Sequence, residues 1–383
     1  MKKSFYNLII ITGESFPNGM ASTNRILCYA SSIGQCKKVK LLSYAGPLYN
    51  RLEQLPRLGI YNNIEYEYTG PKTLTYRPNF LSRAFFLFKR KVRLLKLMLF
   101  NYKCDSVVIV SRSITTMLII KFFSLFLGFK LYRETSETPE NISNKYKRYI
   151  HKKIACIYDG IILISQGMRD YYSFIKDNNK FYVLPVLANP NNFNIGDTKK
   201  KKYFFYCSGA NLERDGFLDS LKAFIDFSKI NKDYKLIVAT SLNLSDEYHR
   251  KAKKMMEENE NIVDYIGRIP STDIPKFLIE ATALLVTPHH NYVTRGFPTK
   301  LSEYMLSGTP VICTSIDDLK SELNDNIVYM VKPSRPEEIK KAMLDIVTNP
   351  LKAKKIGLNA RLYALNNFTM RRYQLDLLKF LKL

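Results

Sequence analysis

Short, unbroken apolar runs separated by stretches of helical spacing constrain this chain most. In its first half the runs are Tyr6–Thr12, Val39–Tyr44, Ile64–Tyr68, Ser106–Ser111, Lys130–Glu134, Gly160–Ser165 and Tyr182–Leu184. Runs of this length without polar alternation predict strands buried on both faces, as in a parallel sheet covered by helices. Between the first two, Ile26, Tyr29, Ala30 and Ile33 recur at helical spacing, with Ser22 or Thr23 placed as an N-cap. That is a βαβ unit. A second series follows at Tyr203–Ser208, Lys235–Thr240, Ile262–Ile266, Ala283–Thr287, Val311–Thr314 and Ile327–Met330. Pro185–Lys202, between the series, mixes prolines, asparagines and a lysine run, which is linker chemistry. Two such series in 383 residues predict two α/β domains with a cleft between them. A last segment, Phe368–Leu383, has helical spacing at Tyr373, Leu377 and Phe380.

Composition narrows the partners. The formal net charge of +25 predicts attraction to an anion: nucleic acid, a negatively charged membrane face or a phosphorylated substrate. The lysines are spread along the chain with no nucleic-acid motif beside them, so no nucleic-acid partner is expected. Cys28, Cys36, Cys104, Cys156, Cys207 and Cys313 have no paired spacing, which argues for buried thiols in a reducing cytosol. The opening MKKSFYNLIIIT reads as a first strand, because Gly13-Glu14 follows where a signal peptide would carry small residues. Lys96 and Lys121 interrupt the best membrane-span candidates, and the chain is expected to be soluble. Phe80–Lys103 is separate: Leu81, Phe85, Phe88, Val92, Leu95 and Leu99 make an apolar stripe, with Arg83, Arg90 and Arg93 on the other side. Such a helix lies either in a membrane interface or against a core with its basic face in water.

The chemistry concentrates in HHNYVTRGFPTKLSEYMLSGTPVICT, His289 to Thr314. A helix is expected to begin near Thr299, whose hydroxyl would cap the first turn, with Lys300 beside it. A helix start with a cation suits a phosphate. Glu303, one turn on, shares a face with Thr299 and could accept from two neighbouring hydroxyls, as on a ribose. Together they suggest a nucleoside diphosphate; the plainer alternative is a surface loop and an amphipathic helix packed on a sheet. Glu134 and Glu137 follow a strand, as contacts or a base for an acceptor hydroxyl, or as caps of the next helix. In Ser208–Gly216 small residues would admit a diphosphate. His289 and His290 lack a third ligand, so no metal is expected.

GFPTKLSEYMLSGTPVI resembles the donor-site segment of the retaining glycosyltransferases of family 4, which have the GT-B fold. The resemblance implies two Rossmann-like, doubly wound parallel-sheet domains facing a central cleft: 1–190 on the acceptor side and 203–367 on the donor side. It implies that the helix at 368–383 crosses back to the first domain. It makes Glu303 the holder of the ribose hydroxyls. Arg295 stands where the family has an acidic residue beside the transferred sugar, so Glu134, Glu137 and Arg295 are the expected catalytic positions. FPNGMASTNR is similar to the family's first loop, where Gly19 and Arg25 would line the cleft. Gly209, Gly296, Phe297, Pro298, Thr299, Lys300 and Leu301 would hold the donor. The family's usual diphosphate cations are replaced by Ala210 and Asp215, with Arg214 as a substitute. Tyr265–Pro270 resembles the nucleobase segment, through Arg268 and Ile269.

The implied activity is transfer of a sugar from a nucleotide diphosphate sugar to a glycan, lipid-linked, in bacterial surface polysaccharide assembly. The implied setting is cytoplasmic, peripheral on the inner face of an anionic plasma membrane, with no cofactor and no obligatory metal. The alternatives are a nucleotide-sugar 2-epimerase on the same fold and a non-catalytic partner of a polysaccharide-assembly complex.

Overall fold

A computed structural model describes residues 3–17, 21–44, 56–70, 80–111, 113–136, 142, 144–194, 199–209, 211–270, 272–289, 298–315 and 323–383. The chain divides into two compact units, Met1–Leu187 with Met370–Leu383, and Ala188–Thr369.

The first unit is built on an eight-stranded sheet of β1 (Ser4–Thr12), β2 (Val39–Ser43), β3 (Leu58–Tyr61), β4 (Ile64–Tyr68), β5 (Tyr102–Val110), β6 (Lys130–Thr135), β7 (Gly160–Leu163) and β8 (Phe181–Val183). Their order is β3-β4-β2-β1-β5-β6-β7-β8, and only the β3–β4 pair is antiparallel. Leu8 and Ile10 of β1, Val39 and Leu41 of β2 and Val108 of β5 are fully or nearly fully buried in one core, as unbroken apolar runs require. β3 escapes a search for such runs because it is an exposed edge strand. It is joined to β4 through Asn62 and Asn63, both at positive φ, the chemistry of a two-residue hairpin. The first helix is Ala21–Gly34; Thr23 lies inside it, and its hydroxyl donates to the Ser15 carbonyl at 2.7 Å rather than capping.

The second unit holds β9 (Tyr203–Cys207), β10 (Lys235–Ala239), β11 (Val263–Tyr265), β12 (Ala283–Val286), β13 (Val311–Thr314) and β14 (Tyr329–Val331). They pair in the order β11-β10-β9-β12-β13-β14, all parallel. The chain winds one way from β9 through β10 to β11, then returns to the other side of β9 as β12. That reversal is a topological switch point, where doubly wound sheets open a crevice at their carboxyl ends.

The helix Phe80–Lys96 divides the expected stripe. Arg90 is buried, donating to the Tyr44 carbonyl at 3.0 Å, and Arg93 reaches Glu67 at 3.2 Å. Leu94 is buried beside them, whereas Phe85 and Phe88 are exposed. The two alternatives are thus mixed: Phe85 and Phe88 of the stripe face out, Val92 and Leu95 are half-buried, and the arginine side is partly spent on partners. The helix Ile114–Leu127 runs beside it: Lys91 donates to Ser113 and Thr115, and Leu94 and Leu95 line a small cavity with Thr116, Ile119 and Ile120. Capped by Ser113 and closed by left-handed Gly128, that helix buries Met117 and Ile120 while exposing Leu118, Phe122, Leu125 and Phe126.

The C-terminal helix, Met370–Phe380, packs on the first unit. Gln374 donates to the Ser32 carbonyl at 2.8 Å, the Ser106 hydroxyl donates to the Leu381 carbonyl at 2.6 Å, and Leu377 enters the core. Only two cysteines, Cys104 and Cys313, are buried; Cys36 and Cys156 are exposed. Among the described residues no helix is long and apolar enough to cross a membrane.

Candidate functional site

In the second unit, parallel pairing brings the carboxyl ends of β9, β10, β11 and β12 to one edge. Ser208 and Gly209 follow β9, Thr240 follows β10, Ile266–Ile269 follow β11 and Thr287–His289 follow β12. The loop after β9 is tied on several sides. Tyr206 donates its buried hydroxyl to the Asp215 carbonyl at 3.0 Å, and Asn211 accepts the Arg214 N–H at 2.9 Å. His289 donates its own N–H to the Arg214 carbonyl at 2.9 Å. Gly216 begins the helix Phe217–Ser228 at φ 68°, and a Cβ there would stand 1.8 Å from the Thr287 carbonyl oxygen. Only glycine fits that turn. At Gly209 the surroundings are open, with no heavy atom within 4 Å of a built Cβ, and its carbonyl accepts from Thr240 at 3.1 Å.

This frame presents the Asp215 carboxylate to two cations. Oδ2 accepts from the Ser208 hydroxyl at 2.6 Å and from Lys300 Nζ at 3.0 Å, and Oδ1 accepts from Arg214 Nε at 3.0 Å. Burial alone would raise the Asp215 carboxyl, but Lys300, Arg214 and the Ser208 hydroxyl hold it below the usual carboxylate range. Glu303 goes the other way. Burial pushes its carboxyl up, Lys300 offsets part of that, and no described residue donates a hydrogen bond to it.

Lys300 and Glu303 flank the start of the helix Leu301–Leu306. This corrects the expected cap: the helix starts at Leu301 with Lys300 in the N-cap position, and no side chain caps it. Thr299 lies in the turn before it. Leu301, expected at the donor, is fully buried, and its N–H donates to the Pro298 carbonyl at 2.9 Å. After β11, Arg268 is exposed and Ile269 half-buried, next to Gly267 at φ 70°. Gly19, Glu137, Ala210, His290, Arg295, Gly296 and Phe297 lie outside the described residues.

In the first unit the structure reassigns Arg25 and Glu134. Arg25 Nε donates to Glu134 Oε1 at 2.5 Å, and its two terminal nitrogens donate to the Pro185 and Leu184 carbonyls at 2.5 and 2.6 Å. Tyr29 donates to the other Glu134 oxygen at 2.8 Å. Both members of the ion pair are 3% exposed. The expected cleft-lining arginine and acceptor-side carboxylate therefore spend their hydrogen bonds on each other and on the fold. Among the described residues no three His, Cys, Asp or Glu side chains group as a metal site. Sequence reasoning missed Tyr29 and Tyr206, whose hydroxyls fix these two clusters; their apolar settings marked them only as core.

Known proteins share this fold. Residues 189–363 match the family model described as Glycosyl transferases group 1. An uncharacterized glycosyltransferase of Methanocaldococcus jannaschii is 22% identical over 246 residues, a match spanning 62% of this chain and 62% of that protein. Sucrose-phosphate synthase from Thermosynechococcus elongatus superposes with a TM-score of 0.73 at 14% identity, over 98% of each chain. Anabaena HepE in complex with UDP and glucose gives 0.73 at 15% identity, over 98% of this chain and 99% of that one. The chain thus has the GT-B fold, and its residues 189–363 resemble the group 1 glycosyl transferases.

Proposed function

We propose that this chain transfers a sugar, with retention, from a nucleoside diphosphate sugar to a lipid-linked glycan during assembly of a surface polysaccharide. The observation that carries the reading is the grouping of Lys300, Arg214 and Glu303 at the carboxyl edge of the second sheet. Departure of the diphosphate leaves an oxocarbenium-like sugar and builds negative charge on the leaving oxygen. Fixed cations beside that oxygen stabilise the transition state more than the ground state. The Glu303 carboxylate is suited to accept from the paired ribose hydroxyls. The acceptor oxygen bonds to the anomeric carbon as the bond to phosphate breaks, and the departing phosphate oxygen takes the acceptor's proton. No protein base is needed, which agrees with the internal use of Glu134. UDP in the Anabaena neighbour supports a nucleotide donor here.

Calorimetry with UDP, GDP, ADP and CMP against wild type and Glu303→Ala tests the donor. Binding of one nucleoside diphosphate, weakened by the substitution, supports the reading; no binding at millimolar ligand sinks it. A second reading, a non-catalytic assembly partner, is favoured by the carboxylate already lying on Lys300, and the same titration decides it. Turnover of donor without acceptor would point instead to the epimerase.

The lipid-linked acceptor is supported by the exposed Leu118, Phe122, Leu125 and Phe126 face, by Phe85 and Phe88, and by the charge of +25. Apolar side chains in the interface with cations around them suit the anionic inner face of a membrane. Flotation with anionic vesicles tests this: salt-sensitive binding that Phe122→Ser with Phe126→Ser abolishes is expected, and binding indifferent to both removes the support.

A further inference from the structure

We propose that Asp215 is a positioning residue whose carboxylate holds Lys300 and Arg214 as a paired clamp for the donor diphosphate. The inference rests on the nucleotide-sugar reading above and gives that site its electrostatic design. A carboxylate beside an anion site would at first sight weaken it. Three observations decide the opposite sign.

The first is the use of donors. Lys300 and Arg214 each give one N–H to Asp215. An ammonium has three N–H donors and a guanidinium five, so both cations keep donors for a ligand. The second is the order of exposure. The Asp215 side chain is 17% exposed, against 28% for Lys300 and 49% for Arg214. An anion arriving from solvent therefore meets the cations before the carboxylate. The third is rigidity. Asp215 is anchored through Ser208 on its side chain and Tyr206 on its backbone, and Arg214 through Asn211 and His289. Gly216, fixed against the Thr287 carbonyl, closes the loop. Long cationic side chains lose rotamer freedom when they grip a ligand, and a partner that orients them beforehand removes much of that loss from the binding step. The three groups together also keep a net charge of one positive unit, which still favours a diphosphate.

The test compares Asp215→Asn and Asp215→Glu with wild type, using calorimetry on a nucleoside diphosphate, its monophosphate and the free nucleoside. Asp215→Asn is expected to weaken the diphosphate roughly 10-fold. It should leave the nucleoside unchanged, so the preference for diphosphate over monophosphate falls, and Asp215→Glu should recover part of it. General damage to the fold would weaken all the ligands alike. A folded Asp215→Asn protein with unchanged or tighter diphosphate binding overturns the proposal, tighter binding making Asp215 a competitor for the cations. If Asp215→Asn does not fold, Arg214→Ala, Lys300→Ala and the double variant replace it. A shared clamp predicts non-additive losses, and strict additivity overturns it. Wild type that binds no nucleoside diphosphate at all overturns the nucleotide-sugar reading itself, and this proposal with it.

Discussion

Each unit carries charged side chains near the carboxyl end of a parallel sheet, and the two groups are opposite in character. In the first, Arg25 and Glu134 are closed: both are 3% exposed, both Glu134 oxygens are taken, and Arg25 donates from all three of its nitrogens. In the second, Lys300 and Arg214 share Asp215 yet stay partly open to solvent, and Glu303 has no donor among the described residues. Position at a strand end is thus not what marks a ligand-binding group. Unspent hydrogen-bonding capacity at an accessible place marks it, because only such a group gains more from a ligand than from the fold.

The comparison breaks most readily at its closed end. Arg25→Ala or Glu134→Ala leaves a buried charge without its partner, and a loss of about 3–5 kcal/mol is expected. Urea unfolding followed by a first-unit probe measures it. Replacing both members with apolar residues of similar volume should recover much of the loss; a single-variant loss under about 1 kcal/mol would make the pair as dispensable as a surface bridge. Gly216→Ala comes next. Left-handed backbone and the Thr287 carbonyl 1.8 Å from the new Cβ together predict at least about 2 kcal/mol of destabilisation. Because Arg214 and Asp215 precede that turn, diphosphate affinity should fall too, and a stable variant with intact affinity would detach the turn from the site.

The sequence disclosed the strands for a physical reason and concealed the charge pairs for another. A parallel strand buried on both faces must be an unbroken apolar run, so nearly every described strand shows itself; β3, an exposed edge, does not, although Asn62-Asn63 marks its turn. Helix faces were harder. Phe80–Lys96 carries a clear period, but Arg90 and Arg93 find partners inside while Phe85 and Phe88 stay outside, and no helical period reports partners supplied by other segments. Arg25 and Glu134 are 109 residues apart, and Lys300 and Asp215 are 85 apart. A pattern reader can propose each as a candidate but cannot see that one pair is closed and the other open. Thr299 failed for a local reason, the helix starting one residue later than a Thr299 cap would place it.

The open group should respond in binding and hardly in stability. Arg214→Ala removes a cation 49% exposed, with an expected stability change within about 0.5 kcal/mol. Lys300→Ala, which leaves a carboxylate 17% exposed with one cation fewer, is expected to cost about 1 kcal/mol. Each should weaken a nucleoside diphosphate by about 1–2 kcal/mol, since charge-assisted bonds to phosphate are the stronger kind. Thermal melts beside calorimetry separate the two readouts. A large melting shift with little change in affinity would move Lys300 into the structural class with Arg25.

The smallest effect is the pH dependence of Glu303, and its sign separates function from folding. Burial holds this carboxyl above its unfolded value. The native state therefore binds the proton more tightly than the unfolded chain. The stability tied to it is complete below the unfolded carboxyl pKa and is lost as pH rises through the folded one. Asp215, held down by Lys300 and Arg214, does the reverse, its contribution being lost as pH falls through its lowered value. Ribose recognition needs the Glu303 acceptor ionised, so nucleoside affinity should strengthen over the same rise in pH that loosens the fold at this residue. Calorimetric affinity measured against pH should climb in wild type and lose that slope in Glu303→Gln. A wild-type slope that survives the substitution would assign the titration to another group and leave Glu303 with packing as its only role.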